Sequence, residues 1–155
     1  MSITRATILQ IALAIENKGI AFYSAAARRF ADPLIEWLIG EEKRHIRVFQ
    51  GIFGQDGGRI REERFEVPHL DDDYLVAAFA GTEVFGKADP AALSQAELFG
   101  VAVEMEKNSI LFYRELSDAL PERFAAEIEM LRQIESEEHE HLRRLAAARS
   151  RLEGK

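Results

Sequence analysis

The sequence predicts an all-α fold, a bundle of four long helices with a long crossover connection between the second and third. Three observations predict it. Apolar residues recur every three or four positions through four stretches, helix-opening signals stand where the last three of these begin, and the first pair of stretches is repeated in the second. Ile15-Glu16-Asn17-Lys18-Gly19-Ile20-Ala21-Phe22-Tyr23 matches Met105-Glu106-Lys107-Asn108-Ser109-Ile110-Leu111-Phe112-Tyr113 without a gap at an offset of 90. Glu41-Glu42-Lys43-Arg44-His45 returns as Glu137-Glu138-His139-Glu140-His141 at an offset of 96, so the second half carries six extra residues between its two elements.

The first helix is expected from about Thr4 to Arg28, with Leu9, Leu13, Glu16, Ile20 and Tyr23 on one stripe and Glu16 its only charge. The apolar run Ile8 to Ile15 is too short to span a bilayer. It is interrupted by Gln10 and followed by Glu16-Asn17-Lys18 instead of a small-residue cleavage site, so it reads as the start of a core helix. Asp32-Pro33 opens the second helix, an N-cap acceptor followed by proline at the first helical position. Leu38, Glu42, His45, Phe49 and Ile52 form its inner face, and the pattern breaks between Gly51 and Gly58.

Residues 59–93 form a connector containing Pro68, Asp71-Asp72-Asp73 and an apolar stretch from Tyr74 to Ala80. Asp72 or Asp73 could cap a short helix there, closed by Gly81, and His69 is expected in solvent without a role. So long a link is not needed between neighbouring antiparallel helices, which is why a crossover is expected, within one domain spanning 1–155. Ser94-Gln95-Ala96-Glu97 reads as a capping box for the third helix. Its inner stripe is Phe99, Val103, Glu106, Ile110 and Tyr113, while Glu104 falls on the outer face. Pro121 begins the fourth helix, with Leu131, Ile134, Glu138, His141 and Leu145 inward and His139 outward. Basic residues from Arg143 to Lys155 suit its C-terminus.

Composition narrows the chemistry. With 155 residues, a net charge of -7 and no cysteine, the chain is large enough for one core and too acidic for nucleic acid or an anionic membrane as its main partner. No thiolate ligand or disulfide is available, so any metal must be held by nitrogen and oxygen. Absence of cysteine also suits a cytoplasmic location.

Glu and His at i and i+3 lie one turn apart on the same helix face. Two such pairs, Glu42/His45 and Glu138/His141, with the single glutamates Glu16 and Glu106, put four carboxylates and two imidazoles on four apolar stripes. Burying that charge unpaired costs several kcal/mol per group. Two divalent cations would cancel it, and carboxylates with imidazoles suit iron or manganese. Tyr23 and Tyr113, each seven residues past one of the single glutamates, either hydrogen-bond the carboxylates of the opposite hairpin or pack as core. Trp37, Phe22 and Phe112 read as core, and the Arg28-Arg29 and Arg143-Arg144 pairs as solvated helix ends.

This order of Glu, Glu-x-x-His, Glu, Glu-x-x-His resembles the ferritin-like di-iron superfamily, and the wording around Glu106 resembles its rubrerythrin branch. The resemblance covers roughly residues 8 to 148. It implies a ferritin-like bundle holding two iron ions. Glu42 and Glu138 would bridge them, Glu16 and Glu106 would be terminal carboxylates, and His45 and His141 would each ligate one metal. It further implies an oxidoreductase that reduces hydrogen peroxide or dioxygen in oxidative-stress defence, fed by an external electron donor protein and working as a homodimer. Two departures stand out: the chain has no cysteine to build the rubredoxin domain typical of rubrerythrins, and Ser109 occupies the place of a further glutamate. The alternatives are a ferroxidase or iron-storage protein, and a metal-free bundle serving as an interaction module.

Overall fold

The computed structural model describes residues 2–54, 64–66 and 90–154. The elements are β1 (Ser2–Thr4), α1 (Arg5–Ala27), α2 (Pro33–Phe53), β2 (Arg64–Glu66), α3 (Gln95–Ala119), a 3-10 turn (Glu122–Phe124) and α4 (Ala125–Glu153). The helix starts follow local chemistry. Thr4 accepts from the Thr7 N–H at 3.1 Å. Asp32 accepts from the Leu34 N–H at 2.9 Å with Pro33 beside it, and Ser94 and Glu97 close a reciprocal capping box. Each cap satisfies backbone donors that a helix N-terminus leaves unpaired. The fourth helix differs from the sequence expectation: Pro121 leads into the 3-10 turn, and the α-helix proper starts at Ala125 without a side-chain cap.

The four helices form two antiparallel hairpins, and their contacts make two apolar clusters. One contains Ile8, Ile11, Phe49, Phe112, Leu116, Phe124 and Leu131. The other contains Phe22, Ile35, Leu38, Leu98, Phe99 and Leu145. The end of α2 therefore lies with the first cluster and the start of α3 with the second. The chain between them joins opposite ends of the bundle, which is the expected crossover. Burial of side chains of this size contributes roughly 1.5–3 kcal/mol each, so the two clusters are where the bundle gains its stability.

The expected inner stripes of α3 and α4 are buried throughout. On α1 the buried line is Ile8, Ile11, Ala12, Glu16, Gly19, Phe22, Tyr23 and Ala26, and Leu9, Leu13 and Ile20 are half-buried on its flank. On α2 it is Phe53, not Ile52, that completes the buried face. These are shifts of one position around the helix, and they leave Glu16, Glu42 and His45 inside.

The six extra residues of the second half lengthen its helices, not its turn. Five residues separate the helices in the first hairpin (28–32) and five in the second (120–124). In α3, 13 residues follow Glu106 where α1 has 11 after Glu16, and in α4, 13 precede Glu138 where α2 has 9 before Glu42. The first hairpin is the shorter one, as the offset implies.

One feature was not legible in the sequence. Ser2–Thr4 pairs antiparallel with Arg64–Glu66, Ile3 opposite Phe65, and this short ribbon seats Ile3 in the first apolar cluster. The expected short helix from Tyr74 to Ala80, its acidic cap, Pro68 and His69 lie outside the described residues.

Candidate metal centre

Between the two apolar clusters lies a buried polar layer made of Glu16, Glu42, His45, Glu106, Glu138 and His141, each no more than 4% exposed. Each helix contributes from the middle of its inner face. The i and i+3 spacing works as expected: Glu138 Oε2 lies 3.1 Å from His141 Nδ1 and Glu42 Oε2 3.4 Å from His45 Nδ1. The two imidazoles stack with ring centroids 5.4 Å apart at 15°.

Potential ligand atoms fall into two overlapping groups of four, Glu16/Glu42/His45/Glu138 and Glu42/Glu106/Glu138/His141, and one of three, Glu41/His45/His141, on the outer side of the imidazoles; in each they lie within 4.8 Å of one another. Glu42 and Glu138 belong to both groups of four. His45 Nδ1 faces Glu16 Oε2 at 3.3 Å and Glu138 Oε1 at 3.1 Å, and His141 Nδ1 faces Glu106 Oε2 at 3.6 Å. All six residues singled out in the sequence are thus brought together. Glu104 is exposed on the far side of α3, and His139 faces solvent 3.8 Å from Glu135.

The tyrosines cross between hairpins. Tyr23 on α1 donates to Glu106 on α3, and Tyr113 on α3 donates to Glu16 on α1. Of the two readings open for them, hydrogen bonding to the opposite carboxylate is the one found. Burial first, then the surrounding carboxylates, pushes both hydroxyls well above their ordinary pKa, so they remain donors.

Electrostatics shows what the layer lacks. Burial, followed by repulsion from the other glutamates, holds the pKa values of Glu42 and Glu138 well above the carboxylate range. Burial opposes charge on both imidazoles, but the adjacent carboxylates outweigh it and raise His45 and His141. Burial likewise works against charge on Glu106, yet the neighbouring Glu138 and His141 and the hydroxyl of Tyr23 keep it low. Without cations the layer therefore retains protons, most clearly on the two carboxylates common to both groups. Among the described residues, Glu42 Oε2, Glu138 Oε2 and both ring nitrogens of His141 are buried with no hydrogen-bond partner. Buried polar atoms in native proteins are nearly always paired. Orphaned atoms converging from two helices fit two metal ions in both charge and ligand chemistry.

Sequence reasoning missed an outer ring of support. His45 Nε2 lies 3.0 Å from Glu137 Oε2, and Arg44 Nη2 bonds Glu137 at 2.7 Å and Glu41 at 2.8 Å. Arg44 and Gln133 overcome the cost of burial to keep Glu137 ionised, so His45 Nε2–H is the donor and Nδ1 is left to face the carboxylates. A cavity of about 310 Å³ between α2 and α4 borders Arg44, Gln133 and Glu137. The signal was present: Glu41 and Glu137 are a matched pair in the repeat, each one residue before a buried glutamate. Trp37 also does more than fill core. Half-buried, it packs edge-to-face with His141, with centroids 5.2 Å apart at 84°, and carries Arg144 over its face at 4.2 Å.

Gly19 and Ser109 occupy equivalent places in the repeat. Ser109 donates to the Met105 carbonyl of its own helix at 3.2 Å. A Cβ on Gly19 would come 3.0 Å from Glu42 Oε1. Glycine here is a matter of space beside a carboxylate.

No protein-family model and no curated protein matches this sequence. Among solved structures the chain is similar to a Thermotoga maritima protein, provisionally assigned as a ferritin-like diiron-carboxylate protein, with a TM-score of 0.68 and 23% identity over 97% of each chain. No described helix is long and apolar enough to cross a membrane. At this identity the likeness establishes architecture: the chain has the ferritin-like four-helix fold, with a buried carboxylate and imidazole layer at its centre.

Proposed function

We propose that this chain is a non-haem di-iron oxidoreductase of the rubrerythrin type, a single domain that reduces hydrogen peroxide or dioxygen in the cytoplasm as part of oxidative-stress defence. The observation that carries the reading is the pair of four-residue groups sharing Glu42 and Glu138. In this reading Glu16, Glu42, His45 and Glu138 would hold one metal and Glu42, Glu106, Glu138 and His141 the other, Glu42 and Glu138 being common to both. Iron is the metal expected, and manganese satisfies the same ligands. Two ferrous ions held there would supply the two electrons that reduce peroxide to water, and an external donor protein would return them.

The chain's own residues have defined tasks. Glu42 and Glu138 would give up protons on loading and so neutralise the charge of the bound ions. Tyr23 and Tyr113 hold Glu106 and Glu16 in place through hydroxyl donors that burial keeps protonated. The apolar clusters on either side of the layer restrict water, which strengthens the electrostatic interactions inside. A homodimer is expected of such a protein.

The test is metal content per chain after production in iron-sufficient medium, with the visible spectrum followed through anaerobic reduction and addition of peroxide. Two irons per chain, with absorption that bleaches on reduction and returns rapidly with peroxide, is the expected result. Rapid return with dioxygen, iron retained in excess of two per chain and a multi-subunit shell by size would instead identify a ferroxidase or storage protein. A chain that carries no metal and melts at the same temperature with or without ferrous ion would sink the proposal and leave an interaction module.

A further inference from the structure

The six inner residues are matched across the two halves, but the groups behind the imidazoles are not. Behind His45 stands Glu137, 3.0 Å from Nε2. It is itself held by Arg44 at 2.7 Å and by Gln133 at 3.2 Å. Behind His141 stands the repeat-equivalent Glu41, 3.9 Å from Nε2, beyond hydrogen-bonding distance. Neither ring nitrogen of His141 has a hydrogen-bond partner among the described residues, and only Nδ1 lies against the inner carboxylates. The difference traces to two places in the repeat. Arg44 has Glu140 as its counterpart, so one guanidinium serves both outer carboxylates, and Gln133 has Trp37 as its counterpart, which packs at right angles to the His141 ring instead of holding Glu41.

We infer that the two metal positions are inequivalent: the position at His45 fills first and binds more tightly, because Arg44 and Gln133 fix Glu137 on the far side of that imidazole, whereas His141 has no such partner. The inference rests on the di-metal reading. Its physical basis is the outer hydrogen bond. A carboxylate on Nε2–H fixes the tautomer that presents Nδ1 to the metal, fixes the ring's rotation, and makes the nitrogen a better donor. His141 is oriented by packing against Trp37 and the His45 ring without a hydrogen bond at Nε2, so more of its motion is lost when metal binds. Arg44 acts through Glu137 and His45 and is a positioning residue. Its side chain is 34% exposed and borders the cavity between α2 and α4, so replacing it leaves both apolar clusters intact.

The experiment is titration of the metal-free full chain with cobaltous ion, followed by calorimetry, by the visible ligand-field spectrum, and by the hyperfine-shifted imidazole N–H signals in proton NMR. Wild type should bind in two steps, the first at least about tenfold tighter, in line with the usual influence of outer-shell partners on metal affinity. At one equivalent, one N–H signal that exchanges slowly with deuterium should mark His45, and a second, faster-exchanging one should follow at two equivalents. Arg44→Leu and Glu137→Gln should each weaken the first step by about tenfold, bring the two steps together and speed exchange of the first signal. Arg44→Lys should restore part of the separation. Equal steps in wild type, or steps unchanged in both Arg44→Leu and Glu137→Gln, would overturn the inference and leave the di-metal reading standing. No cobalt binding at all would overturn both.

Discussion

The two hairpins present the same ligands in the same order, yet they are built differently around them. The second is longer, with four extra residues ahead of Glu138 and two beyond Tyr113 before the turn. It also supplies Glu137 and Gln133 to the first hairpin's histidine, whereas the first hairpin supplies Trp37 and a more distant Glu41 in return. The inner residues converge in one buried layer where carboxylates and imidazoles of both hairpins face one another, which leaves little room for change on either side. The groups one layer out answer only to packing and to the other hairpin, and there the halves have diverged. A duplicated motif thus specifies the ligands twice but need not specify two identical sites.

The largest effect should separate residues common to both metal groups from residues confined to one. Glu138→Ala removes a carboxylate from both groups and should abolish stable binding of the pair, a loss of at least about 100-fold in affinity for each ion. Glu16→Ala and Glu106→Ala should each spare one ion. Elemental analysis of purified protein decides this: one metal per chain in Glu138→Ala would contradict a bridging role.

Proton linkage gives the next largest. Glu42, Glu138, His45 and His141 all have folded-state pKa values above their ordinary ones, so the metal-free protein binds more protons folded than unfolded. That stability is fully present below the unfolded pKa values and is lost as pH rises through the folded ones. Above about pH 5 the melting temperature of the metal-free protein should therefore fall, while manganous ion, which displaces those protons, should stabilise more at higher pH. Calorimetric scans between about pH 5.5 and 8.5 should show the gap between loaded and metal-free protein widening by about 5 °C or more. A gap that narrows would remove the buried protons from the account.

The crossed tyrosines test whether the halves support each other equally. Tyr23→Phe and Tyr113→Phe each leave a buried carboxylate short of a donor and should cost about 1–3 kcal/mol in chemical unfolding. Their near-mirror geometry predicts similar values. A difference of more than about 1 kcal/mol would extend the asymmetry of the outer ring to the inner one.

Gly19→Ala should have the smallest effect on the fold and an informative sign. Alanine in a helix interior gains up to about 1 kcal/mol over glycine, but its Cβ would crowd Glu42 Oε1 at 3.0 Å. A metal-free protein at least as stable as wild type, with metal affinity several-fold weaker, is expected. Unchanged affinity would show that Glu42 moves aside without consequence.

The inner residues were legible because two periodicities agree at each of them. Glu106 was separable from Glu104 by helix phase and by the repeat, and His141 from His139 in the same way. The α1 stripe was harder to place, since alanines and isoleucines surround it and the buried line differs from its half-buried flank by one position. Glu41 and Glu137 were visible as a repeated pair, but their meaning was not, because each acts on the histidine of the other hairpin. The pairing of Ser2–Thr4 with Arg64–Glu66 joins two three-residue segments too short to carry a periodic signal.

By itself, then, the sequence determined which side chains line the bundle's interior and which of them are metal-binding types, since a helix face is fixed by residue spacing and a buried carboxylate announces itself on an apolar stripe. It determined the start of α2 and α3 for the same local reason, caps being made by neighbours in the chain. Only the tertiary structure decided that Tyr23 reaches Glu106, that Tyr113 reaches Glu16, and that one arginine on α2 holds a glutamate of α4 against His45. Those contacts join residues 83, 97 and 93 positions apart in the chain. Their geometry depends on how two separately specified hairpins settle against each other, and local spacing carries no information about that.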